Sequence, residues 1–188
     1  MNALPNILST GRIFLTLAMF AALVAIGAGR DPGGQLAAFA FWAFVIAAIT
    51  DFLDGWLARR LDAVTVWGTI LDPIGDKILV CGAAVGLMAA GAGPAFALPA
   101  GLILFREFTV SALREVGAAR GLKLPVTTLA KWKTAVQLTA FAAVMAVGVL
   151  PGLPPRLPLA LMWIATALTL WTGGEYLLQT RRGLATKA

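Results

Sequence analysis

The sequence DFLDGWLARRLDAVTVWGTILDPIGD, residues 51–76, places four aspartates at fixed spacing within a strongly hydrophobic chain: Asp51, Asp54, Asp72 and Asp76. The pattern is DxxDGxxAR, then eight residues, then GxxxDxxxD. An ionised carboxylate in a membrane helix costs about 2.5 to 3.5 kcal/mol on insertion scales, so four of them need compensation. A divalent metal ion is the natural candidate, and the stretch predicts a site on two neighbouring membrane helices.

The composition places this stretch in a membrane protein. Of 188 residues, 60% are hydrophobic and only 13% are charged, and the mean hydropathy is +0.86. Apolar runs of this length exceed the needs of a soluble core. We expect an all-α polytopic protein, a single domain over residues 1–188, with six transmembrane helices at about Ile7 to Ala28, Leu36 to Arg60, Thr65 to Ala90, Ala95 to Ala119, Thr127 to Leu150 and Leu157 to Gln179.

Residue usage narrows the chemistry to oxygen ligands. The chain has no histidine, which excludes imidazole metal sites and Ser/His/Asp triads, and its lone cysteine, Cys81, cannot form an internal disulfide. The net charge of +6 is dispersed along hydrophobic segments rather than gathered in a dense basic run. We therefore expect membrane lipids and phosphate-bearing substrates as partners, and no nucleic acid.

The distribution of Lys and Arg predicts the orientation of the spans. Short connections facing the cytoplasm carry an excess of basic residues. The aspartate side of the predicted bundle collects most of them, whereas the opposite side has only Arg30 and Arg156. We therefore expect a polar active-site cavity at the cytoplasmic side.

Helical geometry groups the aspartates in pairs. At about 100° per residue, Asp51 and Asp54 lie about 60° apart on the second span, and Asp72 and Asp76 about 40° apart on the third. A short turn makes these spans antiparallel neighbours, so the two pairs can converge. Four carboxylates around one cavity predict two hard cations, Mg²⁺ or Mn²⁺.

The other letters of the pattern suit a phosphate-bearing ligand. Gly55, Ala58 and Gly68 carry little or no side chain near the carboxylates, so a nucleotide base or a pyrophosphate can approach the backbone closely. Arg59 offers a planar set of donors for a phosphate. Pro73 either places Asp72 at a helix N-terminus or leaves a carbonyl without its donor inside the third span.

A group of basic residues on the fourth and fifth spans predicts an anionic acceptor: Arg106, Arg114, Lys131 and Lys133. Lys77, beside Asp76, either joins this acceptor pocket or points away from it. The alternative interpretation is that these side chains anchor the protein at the membrane surface or pair with Glu107 and Glu115.

The segment from Asp51 to Asp76 resembles the signature of the CDP-alcohol phosphatidyltransferases, with every letter of the pattern present. Gly75 stands where alanine is more usual. Four segments are similar to the phosphatidylglycerophosphate synthase branch of that family: LPNILSTGRI at Leu4 to Ile13, LDPIGDKILV at Leu71 to Val80, REFTVSALRE at Arg106 to Glu115 and LAKWKT at Leu129 to Thr134.

This resemblance implies a six-helix enzyme, usually a homodimer, of the bacterial inner membrane. Such an enzyme moves a phosphatidyl group from CDP-diacylglycerol to an alcohol and releases CMP. Asp51, Asp54 and Asp72 would then be metal ligands, and Asp76 both a ligand and the base. Asn6 lies in the region that lines the nucleotide cavity in this branch, although ordinary helix capping explains it nearly as well.

The basic residues and the branch-like segments together predict glycerol 3-phosphate as the acceptor and phosphatidylglycerol phosphate as the product. Inositol phosphate, serine or phosphatidylglycerol are alternative acceptors. A cation or proton transporter would explain the aspartates but not the fixed positions of Gly55, Ala58, Arg59 and Gly68. A structural dimerisation protein is the remaining alternative.

Overall fold

The computed structural model describes residues 3–60, 66–122, 128–154 and 156–185, with side chains described at 9–53, 74–122, 132–154 and 156–185. Every regular element in these ranges is an α-helix, which confirms the predicted all-α class. The helices are α1 (Ala3–Gly27), α2 (Gln35–Arg60), α3 (Val66–Ala89), α4 (Pro94–Ala119), α5 (Thr128–Ala146) and α6 (Arg156–Ala185).

The observed helices differ from the predicted spans mainly at three ends. α1 begins at Ala3 rather than Ile7, since Pro5 suits a first helical turn. α5 ends at Ala146 rather than Leu150, and the chain then turns through Gly152, whose φ of 91° is not helical. α6 continues past Gln179 to Ala185, because a helix can extend beyond the apolar core of a membrane.

Four of the described helical stretches are long and apolar enough to cross a membrane: Ser9–Gly27, Gln35–Leu53, Pro94–Ala119 and Arg156–Ala185. Large apolar side chains such as Phe14, Phe105 and Trp171 lie exposed on these helices. Extensive exposed apolar surface is costly in water and favourable in lipid. The chain is therefore a helical membrane protein. The number of six transmembrane spans stays a prediction.

The chain forms two compact units, the first of which comprises Met1–Gly93 and Ala142–Pro154. In this unit α1 packs against both α2 and α3. Gly86 lets α3 approach α1 closely, since a Cβ there would lie 2.6 Å from Leu23 Cδ1. The close packing of α1 on α3 relies on small residues, as is common between membrane helices.

The start of α2 is fixed by Asp31. Its Oδ1 accepts a hydrogen bond from the backbone N–H of Leu36 at 3.0 Å, and its Oδ2 accepts one from Ala37 at 2.9 Å. Backbone N–H groups in the first turn of a helix have no partner within the helix, so a carboxylate that accepts from them stabilises the end. The cap sets where α2 begins.

The second unit comprises Pro94–Phe141 and Pro155–Ala188, and within it α4 packs against α6. One face of α6 carries buried threonines at helical spacing: Thr166, Thr169, Thr172 and Thr180. Three of these hydroxyls donate to the carbonyl four residues earlier, as at Thr180 to Tyr176. The stripe therefore keeps its polar groups satisfied inside an apolar unit.

Candidate active site

Asp51 and Asp76, from different helices of the first unit, meet at one guanidinium group. Nη1 of Arg12, on α1, forms an ion pair with Oδ1 of Asp51 on α2. The same nitrogen lies 3.5 Å from Oδ1 of Asp76 on α3. The Arg12 side chain is 1% exposed, whereas the side chains of Asp51 and Asp76 are 28% and 57% exposed. The cation thus lies inside the unit, and the two carboxylates are partly exposed at its surface.

Two features hold Arg12 in this position. Its helix lies against both α2 and α3, so a long side chain from α1 can reach residues of either helix. Gly75 provides the space, because a Cβ at that position would lie 2.6 Å from Nη2 of Arg12 and 3.0 Å from its Cζ. Gly75, which stands where alanine is more usual in the resembled branch, therefore lies directly against the guanidinium group.

The other residues of the predicted carboxylate and nucleotide site lie on described helices, but their side chains are outside the described residues: Asn6, Asp54, Gly55, Ala58, Arg59, Gly68 and Asp72. Among the described side chains, no three of His, Cys, Asp and Glu form a group that could hold a metal ion. The four-carboxylate metal site therefore stays a prediction. Since α3 begins at Val66, Asp72 lies within this helix and not at its N-terminus.

Arg106, a predicted acceptor ligand, is held by three hydrogen bonds in the second unit. Its Nε donates to the carbonyl oxygen of Thr169 at 3.0 Å, and its Nη2 donates to Oγ1 of Thr172 at 3.0 Å. Its Nη1 donates to Oε1 of Glu107 at 3.2 Å. The residue is 8% exposed, so α6 and Glu107 define the orientation of its guanidinium group.

Lys133 is another predicted acceptor ligand in this unit. It contacts the same carboxylate oxygen of Glu107 as Arg106 does. Its Nζ forms an ion pair with Oε1 of Glu107, which therefore contacts cations from both α4 and α5. Lys133 is 6% exposed. The interpretation of these cations as partners of Glu107, left open by the sequence, holds for Arg106 and Lys133.

The remaining acceptor residues differ in their surroundings. The guanidinium carbon of Arg114 lies 5.5 Å from the centre of the Tyr176 ring, a cation–π contact, while the residue itself is exposed. Lys77 is half-buried on α3 in the first unit. The side chain of Lys131 is outside the described residues. The structure thus places Arg106, Arg114 and Lys133 in one unit. Arg106 and Lys133 share the carboxylate of Glu107.

Comparison with known proteins decides the family. A model of the CDP-alcohol phosphatidyltransferases matches residues 2–171, most of the chain. The chain belongs to the CDP-alcohol phosphatidyltransferase family. The predicted resemblance is therefore confirmed, and membership in a family of transferases sets aside both the ion transporter and the structural dimerisation protein.

Two bacterial relatives in this family are named CDP-diacylglycerol–glycerol-3-phosphate 3-phosphatidyltransferase. The chain is 39% identical to the protein of Cereibacter sphaeroides over 73% of its own length and 79% of that relative. It is 35% identical to the protein of Bacillus subtilis over 97% of both chains. A cardiolipin synthase (CMP-forming) of Oryza sativa subsp. japonica is 32% identical over 90% of this chain and 54% of that protein.

The sequence missed three features of this phosphatidyltransferase. Arg12 has no place among the sequence-based expectations, although an arginine in an apolar helix indicates a partner within the bundle. Glu107 was considered only as a possible partner. The polar face of Thr169 and Thr172 was overlooked, although residues three apart on a helix are neighbours and could have been recognised from their spacing.

Proposed function

We propose that the chain transfers the phosphatidyl group of CDP-diacylglycerol to glycerol 3-phosphate, giving phosphatidylglycerol phosphate and CMP. The observation that carries this proposal is near full-length similarity to relatives named for this reaction, including 97% coverage of both chains for the Bacillus subtilis protein. The structure adds that Asp51 and Asp76, two aspartates of the family signature, lie near the same nitrogen of Arg12.

Asp51, Asp54, Asp72 and Asp76 would hold two divalent ions, Mg²⁺ or Mn²⁺. The described donors fit such ions, because two carboxylates from neighbouring helices lie within reach of one nitrogen and remain partly exposed. When bound, the ions supply positive charge that neutralises the pyrophosphate and the departing CMP.

Asp76 is assigned as the base that takes the proton of the acceptor hydroxyl. Its side chain is the more exposed of the two described carboxylates, so a substrate hydroxyl can reach its oxygens. Asn6, Gly55, Ala58, Arg59 and Gly68 are assigned to CDP-diacylglycerol, with the small residues making room for the pyrophosphate and Arg59 contacting it.

The acceptor phosphate is assigned to five basic residues: Lys77, Arg106, Arg114, Lys131 and Lys133. In the second unit, Arg106 and Lys133 share the single carboxylate of Glu107, so this group of three charges keeps one positive charge for a phosphate. Arg106 already has three partners there, which suits a residue that sets the geometry of the pocket. Arg114 is the most exposed of the three and the best placed to meet a soluble acceptor.

We further propose six transmembrane helices in one domain spanning residues 1–188. The active-site cavity would open to the cytoplasm of a bacterial inner membrane, and the enzyme would be a homodimer surrounded by membrane lipids. The excess of Lys and Arg on the aspartate side supports this orientation. The lipid tails of CDP-diacylglycerol can stay in the bilayer while its headgroup reaches the carboxylates.

The test is CMP release by the purified full-length protein in detergent with CDP-diacylglycerol and Mg²⁺ or Mn²⁺. Glycerol 3-phosphate, inositol phosphate, serine and phosphatidylglycerol are supplied as separate acceptors. We expect glycerol 3-phosphate to give the fastest release and a chelator to abolish it. Faster release with any other acceptor would reject the assigned substrate.

Phosphatidylglycerol is the second candidate acceptor, because the chain is 32% identical to the Oryza sativa cardiolipin synthase (CMP-forming). The same panel distinguishes the two by product: phosphatidylglycerol as acceptor would give cardiolipin rather than phosphatidylglycerol phosphate. We favour glycerol 3-phosphate because similarity to the bacterial relatives named for it extends over nearly the full length of both chains.

A further inference from the structure

The environment of Arg12 differs from that of an ordinary salt bridge between helices. One of its nitrogens, Nη1, contacts carboxylates from two other helices, so three helices meet at one atom. A bridge that only ties two helices together needs a single carboxylate. The geometry instead resembles the way in which a bound cation gathers oxygen ligands.

The exposure of the three side chains shows from which direction the carboxylates can be approached. The Arg12 side chain is 1% exposed, so the cation is presented from within the protein. Asp51 and Asp76 keep 28% and 57% of their side-chain surface. A second cation can therefore approach the carboxylates from their exposed side while Arg12 remains buried behind them.

We infer that Arg12 is a built-in counter-cation of the carboxylate site: it holds Asp51 and Asp76 together when no metal ion is bound, and it competes with the ion for their oxygens. The inference rests on the metal site of the proposed function and adds a role for a residue outside the family pattern. Two carboxylates brought close together repel each other unless a positive charge lies between them. Arg12 supplies that charge permanently.

Gly75 makes this arrangement possible. Any side chain at position 75 would lie within 3.0 Å of three guanidinium atoms of Arg12. The contact would be with the far end of a flexible side chain, so an alanine would displace the guanidinium group without unfolding α3. Arg12 and Gly75 are therefore expected to act as a pair.

The experiment measures Mn²⁺ binding to the detergent-purified full-length protein without substrate, by the EPR signal of free Mn²⁺. Arg12→Gln removes the competing charge and is expected to lower the Kd for Mn²⁺ about tenfold, within the range of coupling between interacting sites. Arg12→Lys keeps the charge and is expected to stay within about threefold of the wild type. Arg30→Gln, which removes an exposed arginine of the same unit, is the matched control and should leave the Kd unchanged.

Thermal unfolding provides a readout that does not depend on activity. In the presence of a chelator, Arg12→Gln should melt at a lower temperature than the wild type, since Asp51 and Asp76 then repel each other. Saturating Mn²⁺ should raise its melting temperature more than that of the wild type. Gly75→Ala should shift both the Kd and the melting temperature in the same direction as Arg12→Gln, by a smaller amount.

The outcomes separate this inference from the proposed function. If the wild type binds Mn²⁺ and Arg12→Gln matches Arg30→Gln, the counter-cation role is wrong while the metal site stands. Weaker Mn²⁺ binding by Arg12→Gln than by the wild type would also overturn the counter-cation role. So would an equal lowering of the Kd for Mn²⁺ in Arg12→Lys and Arg12→Gln. Absence of any Mn²⁺ binding by the wild type would overturn both the inference and the metal site.

Discussion

Gly173 lies directly against the side chain of Arg106. A Cβ at position 173 would stand 2.8 Å from Cγ of Arg106, which is closer than real Cβ contacts come, and 3.2 Å from its Nε. The absence of a side chain at Gly173 lets Arg106 lie along α6 and reach the carbonyl of Thr169 and the hydroxyl of Thr172. One glycine therefore determines the direction of a buried cation.

Gly173→Ala is expected to displace Arg106 and to raise the KM for glycerol 3-phosphate about tenfold or more, because misplacing a substrate-positioning group is costly. The change in kcat should be smaller, since Asp51 and Asp76 are untouched. Steady-state kinetics of CMP release measures both. The neighbouring Gly174 is the control: a Cβ there has no atom within 4 Å, so Gly174→Ala should leave KM unchanged. Equal effects at the two glycines would contradict the explanation.

Thr172→Val removes the hydroxyl that accepts from Nη2 of Arg106 while keeping the shape of the side chain. We expect the free energy of unfolding to fall by about 1.5 to 3 kcal/mol, the range for hydrogen bonds to charged groups. Thr172→Ser should restore most of it. Chemical unfolding in detergent micelles measures the loss. Thr139, exposed and donating to Ala135 of its own helix, is the control: Thr139→Val should change stability by no more than about 0.5 kcal/mol.

Glu107→Gln would leave Arg106 and Lys133 without their shared negative charge. Breaking a fully buried ion pair costs about 3 to 5 kcal/mol, and since Glu107 is 23% exposed we expect a loss of about 2 kcal/mol. Unfolding of the purified protein tests the value. Glu115→Gln removes an exposed carboxylate from the same helix and should have little effect. A similar loss in both variants would mean that Glu107 does not organise these cations.

Asp31→Ala should reduce stability without affecting catalysis. The carboxylate accepts from two backbone N–H groups at the start of α2, and loss of such a cap costs about 1 kcal/mol. Asp31→Asn keeps one acceptor oxygen and should lose less. The melting temperature and kcat are measured together. A large fall in kcat at an unchanged melting temperature would show that Asp31 has a role beyond capping.

The helices were predictable because their signals are local. Span length, apolar composition and the Gly and Pro residues of the connections place each helix to within a few residues. The ends of α5 and α6 were less predictable, since a helix can stop before its apolar run ends or continue beyond it. The signature aspartates were recognised because intramembrane carboxylates at fixed spacing are costly and therefore informative.

The partners of these charges were not predictable in the same way. A helix that is apolar on most sides gives no pattern to show which face contacts which neighbour. The contacts of Arg12 with Asp51 and Asp76 depend on how three helices are rotated about their axes. The contact of Lys133 with Glu107 depends on the rotation of two helices. Such contacts between distant parts of the chain follow from packing, which local sequence does not specify.

In the proposed reaction, Asp76 is the carboxylate that takes the proton of the acceptor. The measurement is the rate of CMP release from CDP-diacylglycerol and glycerol 3-phosphate by Asp76→Asn, at saturating Mg²⁺ or Mn²⁺ and with folding verified by melting temperature. We predict a fall in kcat of about 10²-fold or more, the usual contribution of a general base. Full turnover by the folded variant would contradict the account.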